Sequence, residues 1–272
     1  MTAIDVRGLP GSVFASGAAR HRELTGWDAA IRQARSTTHR VGFVSIEPGA
    51  GSTTLATHVT RVLAARRSEP ILAIDVSTDA SGLAATLGIP PASPSETRAA
   101  ARTSADALTG LTERDGIVGL RPVGRPSGSP DVDGGPVGAW LAEAAPITRF
   151  FEVCVTDFGV RHPFVDLAAC AALCDVLCVV SHAVRSPAEL ARAIAPAIAE
   201  LPERPAPVLA LVDHARDGDA VARAFAADPW PVVAIPFDAA VRRRRALRSP
   251  RTRRALLQLT ATVLAAEAVA AR

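Results

Sequence analysis

The sequence predicts an α/β protein: a doubly wound, mostly parallel sheet with helices on both faces. Three observations predict it. Strand-like and helix-like segments alternate along most of the 272 residues. Several strand candidates are continuous apolar runs, the pattern of strands covered on both faces. The first strong run, V-G-F-V-S-I from Val41, passes through a Gly-containing turn directly into a helical stretch that opens on Thr53 and Thr54.

Each element follows in order. Residues 1–20 are small and polar with Gly and Pro, and are expected to form a disordered N-terminal segment. Residues 21–272 are expected to form a single domain. It opens on a short helix: Thr25 is a candidate N-cap with Asp28 three residues on, and Trp27, Ala30, Ile31 and Ala34 follow helical spacing. Strands are expected at 41–46, 71–75, 116–121, 151–157, 176–181, 207–212 and 231–235. Helices are expected at 53–66, 96–109, 137–144, 163–173, 187–200, 217–226 and 251–271. Segment 122–136 is a loop by composition.

Composition narrows the class. Hydrophobic residues make up 49% of the chain, enough for a large core, and the formal charge is +3. All 30 basic residues are arginine; there is no lysine. Residues 1–24 lack the apolar segment of a signal peptide, and the longest apolar stretch, 255–271, contains Gln258 and Glu267. A cytoplasmic location is expected. Cys170 and Cys174 stand one helical turn apart, a spacing open to a metal; the bland reading of all four cysteines is small buried residues in a reducing compartment.

Residues 41–54 have the layout of a phosphate-binding loop, whose backbone N–H groups cradle phosphates at a helix N-terminus. Such a loop normally carries a lysine that reaches the phosphates. Its place here is Ser52.

Four segments resemble the ParA/MinD-type ATPases, whose loop reads S-x-K-G-G-x-G-K-T-T. Ser45, Gly49, Gly51, Thr53 and Thr54 match; Glu47, Pro48 and Ser52 replace a lysine, a glycine and the second lysine, and Ala50 fills the variable place. Asp75 ends the strand-like run I-L-A-I-D, where the carboxylate that usually follows is Ser77. Asp157 in V-C-V-T-D-F-G takes the Walker B place. I-P-F-D, with Pro236, matches the turn near the nucleotide base. Together these cover roughly residues 40–240. The run A-A-R-R-S-E-P-I-L-A-I-D-V-S-T-D-A-S-G-L-A also resembles MinD-like proteins encoded with actinobacterial type VII (ESX) secretion systems.

The resemblance implies an ATP and Mg²⁺ site, with Thr53 on the metal and Asp157 behind it through water. The substitutions weaken it. A lysine 4 Å from a phosphate is worth about 4 kcal/mol at an effective dielectric near 20. Ser52 brings no charge, Glu47 repels a triphosphate, and Pro48 removes a backbone donor. The expected ligand is therefore weakly held ATP/Mg²⁺ or none, and no residue is assigned a catalytic role. Asp75 and Asp157 can hold Mg²⁺ or merely cap following helices. Arg161, four residues past Asp157, is a candidate substitute cation, the alternative being an ordinary surface arginine. Asp213 sits where relatives place an adenine-reading Asn, and an Asp cannot donate.

Arg242, Arg243, Arg244, Arg245, Arg248, Arg251, Arg253 and Arg254 put eight guanidiniums into 13 residues. They suit non-specific DNA binding or a solvated basic face. The closing helix is mostly Ala, Leu and Val on its apolar side, which favours packing on the domain over a membrane. The functional expectation is a non-hydrolysing regulatory or positioning factor with protein partners, a homodimer being one arrangement. The alternatives are a nucleotide-switched ATPase and a DNA-binding partition protein.

Overall fold

Val41, Phe43 and Val44 are fully buried, and the strand that carries them, β1 (His39–Ser45), takes a central place in the sheet. A computed structural model describes residues 9–77, 79–122, 135–214, 221, 224–225, 228–242, 247 and 249–266. The other elements are α1 (Leu9–Arg32), α2 (Ser52–Ala64), β2 (Ile71–Asp75), α3 (Leu83–Leu87), α4 (Glu96–Ala99), α5 (Ser104–Ala107), β3 (Thr112–Arg114), β4 (Ile117–Leu120), α6 (Gly135–Glu143) and α7 (Ala145–Thr148). Then follow β5 (Val153–Val160), α8 (Leu167–Ala171), β6 (Val176–His182), α9 (Arg185–Ala199), β7 (Ala206–Val212), β8 (Val232–Ile235), α10 (Ala239–Arg242) and α11 (Pro250–Ala265).

Among the described residues the strands form one sheet, ordered β3-β4-β2-β5-β1-β6-β7-β8. Every pairing is parallel except β3 with β4. The sheet's two faces are covered separately. On one face Leu55, Val59 and Leu63 of α2 pack with Leu256, Leu259 and Val263 of α11, and α1 lays Trp27 and Ile31 against them. On the other, Trp140, Ile147, Leu167, Cys170 and Ile198 cover the sheet from α6, α7, α8 and α9. This sandwich explains the continuous apolar strands: β2 and β4 are buried at every position.

Register matters at one place. Phe43 pairs with Asp157 and Val44 with Gly159, so Phe158 is an extra residue in β5. Gly159 takes φ 69°, which a glycine adopts freely. The irregularity turns Phe158 into the apolar layer directly after Asp157.

Several local expectations differ from the structure. Helix α1 begins at Leu9, well before Thr25 and inside the stretch expected to be disordered; residues 1–8 lie outside the described residues. The helix expected over 96–109 is two short ones. Ser95 caps α4, and Thr103 and Asp106 form a reciprocal capping box that restarts the chain as α5. Helix α3 and the antiparallel strand β3 were not expected. Residues 123–134 of the expected loop, most of the helix candidate at 217–226, and the final residues 267–272 lie outside the described residues.

The four cysteines are free and buried. Among the described residues no cluster of three or more His, Cys, Asp or Glu is placed to hold a metal, and no helix is long and apolar enough to cross a membrane.

Candidate functional site

After Ser45 the chain turns over α2. Gly49 (φ 75°) and Gly51 (φ 103°) both take the left-handed conformation, which any other residue adopts only with strain. Between them Ala50 is fully buried and plugs the underside of the turn. Gly51 is the N-cap of α2, and no side chain caps that end. The first N–H groups of the helix are thus left for a ligand or solvent, and the helix dipole favours an anion there. In shape, the loop fits a phosphate.

Its charges do not fit a magnesium triphosphate. Ser52 is buried, with its hydroxyl oxygen 3.3 Å from that of Ser45. The residue in the lysine's place therefore turns towards the end of β1. Thr53 Oγ1 donates to Asp157 Oδ2 at 2.6 Å, and the Gly159 N–H donates to Asp157 Oδ1 at 3.0 Å. Asp157 is fully buried. Burial pushes its carboxyl up to about 6; the Thr53 hydroxyl opposes the rise and the neighbouring Asp75 adds to it.

Asp75 is the in-register partner of Asp157 across β2 and β5. One oxygen accepts from the Ser77 hydroxyl (2.6 Å) and Ser77 N–H (3.1 Å); the other accepts from Ala84 N–H (2.8 Å), at the start of α3. Of its two sequence readings, helix capping is the role its contacts carry. A Cβ on Gly82 would stand 2.5 Å from Asp75 Oδ2, so glycine is what lets the turn close over this acid.

A cleft of about 1180 Å³ opens over the loop. Gly49, Gly51, Ser52, Thr53 and Thr54 line it with Ser77 and Gly159, while the far wall carries Val241 and Leu247. The described basic residues that line it are His58, Arg61 and Arg66, all well past the first turn of α2. Arg61 donates to the Thr86 carbonyl at 3.2 Å, and Arg66 is paired with Asp28 at 3.0 Å. Burial, and then Arg61, hold the His58 imidazole below its ordinary pKa, with Asp238 opposing.

Arg161 is not a surface arginine. It is 9% exposed; its guanidinium donates to the Val76 and Val160 carbonyls, and its N–H to the Ser45 carbonyl. It fastens the ends of β1, β2 and β5, and it is not among the residues lining the cleft. On the other flank, the Asp213 N–H donates to the Ile235 carbonyl, and Val212 approaches to 3.9 Å of where a Cβ on Gly51 would stand. Pro236 follows β8 and is half-buried. His182, which sequence reasoning passed over, ends β6 with Nε2 3.4 Å from the Pro48 carbonyl oxygen, and its ring meets His214 edge-on at 4.7 Å. Its position at the loop end of a parallel strand was the available signal.

The arginine cluster is divided. Arg242 ends α10, and Arg243, Arg244, Arg245 and Arg248 lie outside the described residues. Arg251 and Arg253 are exposed. Arg254 binds Glu23 of α1 and lies 5.6 Å over the Trp27 ring, so it holds α11 to α1. The apolar side of α11 is covered by the domain itself.

No protein-family model and no curated protein matches the chain. Solved structures do. The cell division ATPase MinD of Pyrococcus furiosus superposes with a TM-score of 0.57 at 18% identity, covering 83% of this chain and 98% of that one. A ParA family ATPase from Chlorobium tepidum gives 0.54 at 15% identity, covering 82% and 98%. The MinC:MinD cell division complex of Aquifex aeolicus gives 0.56 at 14%, covering 86% and 98%. The chain has the ParA/MinD ATPase fold. At these identities the likeness concerns architecture. Within that fold, Gly49 to Thr54, Asp75 and Asp157 gather at the carboxyl ends of β1, β2 and β5, where open α/β sheets bind ligands.

Proposed function

We propose that this chain is a ParA/MinD-type protein with a degenerate nucleotide site, acting as a regulatory or positioning factor through its surfaces rather than as a hydrolase. The observation that carries the reading is the charge of the site. Ser52 and Glu47 stand where the resembling proteins have lysines, above two buried carboxylates, and Thr53 is hydrogen-bonded straight to one of them. Phosphoryl transfer depends on cations aimed at the developing charge, each worth about 4 kcal/mol at contact distance. Of the described arginines that line the cleft, Arg61 sits in the last turn of α2 and Arg66 beyond its end, and Arg161 is engaged by main-chain carbonyls.

The resemblance of residues 64–84 to MinD-like proteins of type VII secretion supports a setting beside a cell-envelope machine, with a protein partner or a second copy of the chain. Four buried, free cysteines are consistent with a cytoplasmic location. The test is equilibrium titration with a fluorescent ATP analogue and Mg²⁺, with phosphate release measured on the same preparation. Weak or no binding without turnover is expected. Sub-micromolar affinity with turnover would establish an active ATPase instead. Retention of duplex DNA that falls with salt and vanishes when Arg242–Arg245 are neutralised would favour the partition reading.

A further inference from the structure

A second polar pocket lies at the opposite pole of the sheet from the phosphate loop. It has a volume of about 460 Å³ and is lined by Arg32, Arg66, Arg67, Ser68 and Glu152, with Ala34 and Ala65. It sits where α1 and α2 end and β5 is about to begin. α2 has 13 residues, so this pole is about 20 Å from the loop at 1.5 Å per residue.

The arginines are pre-positioned. Arg67 has a side chain only 3% exposed; its Nη1 donates to the Ile31 and Gln33 carbonyls and its Nη2 pairs with Glu152. Its Nε is buried and has no partner. Arg66 and Arg32 each give Nε to one oxygen of Asp28, at 3.0 and 2.7 Å. Arg32 also caps the Arg66 carbonyl at 3.3 Å. That contact matters, because the carbonyl end of a helix repels anions. Among the described residues no protein acceptor takes the Nη groups of Arg66, Nη2 of Arg32 or the Ser68 hydroxyl. Guanidinium N–H groups that open onto a pocket without a protein acceptor suit an oxyanion ligand.

We propose that this pocket binds a phosphate group, free or as a small phosphomonoester, between the Nη groups of Arg66 and Arg32 and the Ser68 hydroxyl, with Arg67 adding its charge from behind. Three guanidiniums face two carboxylates, Asp28 and Glu152, and the net positive charge that remains favours an anion. A tetrahedral phosphate presents oxygens on several sides and can accept from donors on different side chains at once. The volume leaves room for a substituent beside the phosphate. The site does not depend on the nucleotide reading.

The test is isothermal titration of the full chain with inorganic phosphate, and in a second arm with glycerol 3-phosphate. Saturable binding with a dissociation constant of about 1 mM or lower is expected. Arg66→Ala and Arg32→Ala, both at partly exposed positions, should each weaken it about tenfold while thermal unfolding confirms that they fold. Thr53→Ala in the phosphate loop should leave it unchanged. Tighter binding of the monoester identifies a substituted ligand; equal binding identifies inorganic phosphate. No saturable binding, binding indifferent to both arginine variants, or binding lost with Thr53→Ala would each overturn the proposal.

Discussion

Thr53 Oγ1 donates to Asp157 Oδ2 across 2.6 Å, so a hydroxyl in the first turn of α2 is bonded directly to the buried acid of β5. A metal held at this point would have to displace that bond and meet a carboxyl that burial already disfavours as an anion. Restoring the cations should reverse the balance. Glu47→Lys with Ser52→Lys is expected to tighten binding of a fluorescent ATP analogue with Mg²⁺ by about tenfold or more, read by anisotropy. An unchanged affinity would mean that the loop's backbone, and not its charge, is at fault.

Asp157 also sets a pH dependence. Its folded pKa, about 6, lies above the ordinary 3.8. The native state therefore holds this proton more tightly than the unfolded chain. The stabilising effect is complete below about pH 4 and lost as pH rises through 6, a swing of about 3 kcal/mol. Asp157→Asn keeps the shape and removes the charge. Chemical denaturation should find the variant more stable than wild type at pH 7, with the gap closing towards pH 4. A variant less stable at pH 7 would show that the carboxylate is well compensated.

His39 works with the opposite sign. It is buried with Nε2 2.8 Å from the Val263 carbonyl of α11. Burial lowers its pKa, the Val263 contact partly offsets this, and Arg35 adds to the lowering. Its contribution is present above the ordinary value of 6.5 and lost as pH falls through the lowered one. His39→Gln, which can still donate to Val263, should flatten the acid side of the stability profile measured by urea titration.

Gly42 leaves no room for a side chain. A Cβ there would come 2.6 Å from Cys174 Sγ, 2.8 Å from Phe158 and 2.9 Å from Leu177, all buried. Gly42→Ala is expected to cost about 1–3 kcal/mol, seen as a lower midpoint in urea. Gly49→Ala meets open space, so its cost should come only from the positive φ and stay near 1 kcal/mol.

The architecture was readable because β1, β2, β5, β6 and β7 each carry an apolar run and each is followed by a helical pattern. The loop residues, Asp75 and Asp157 follow apolar runs in the sequence, and the fold brings them together. What escaped was set by contacts distant in sequence. Nothing near Arg161 announces that its guanidinium will reach back 85 residues to the Val76 carbonyl. Nor does the extra residue at Phe158 show in the alternation of β5. The break between α4 and α5 was legible in principle: T-S-A-D at Thr103 is a helix start, overlooked because the alanine-rich run around it reads as one helix.

Strand β3 is three residues long, and Thr112, Glu113 and Arg114 are all exposed. It lies antiparallel at the outer margin of the sheet, presenting charge where a neighbour's backbone would need to zip on. Growth of an assembly by strand addition is therefore disfavoured on that side, which leaves side-chain contacts as the readier way for a partner to approach it.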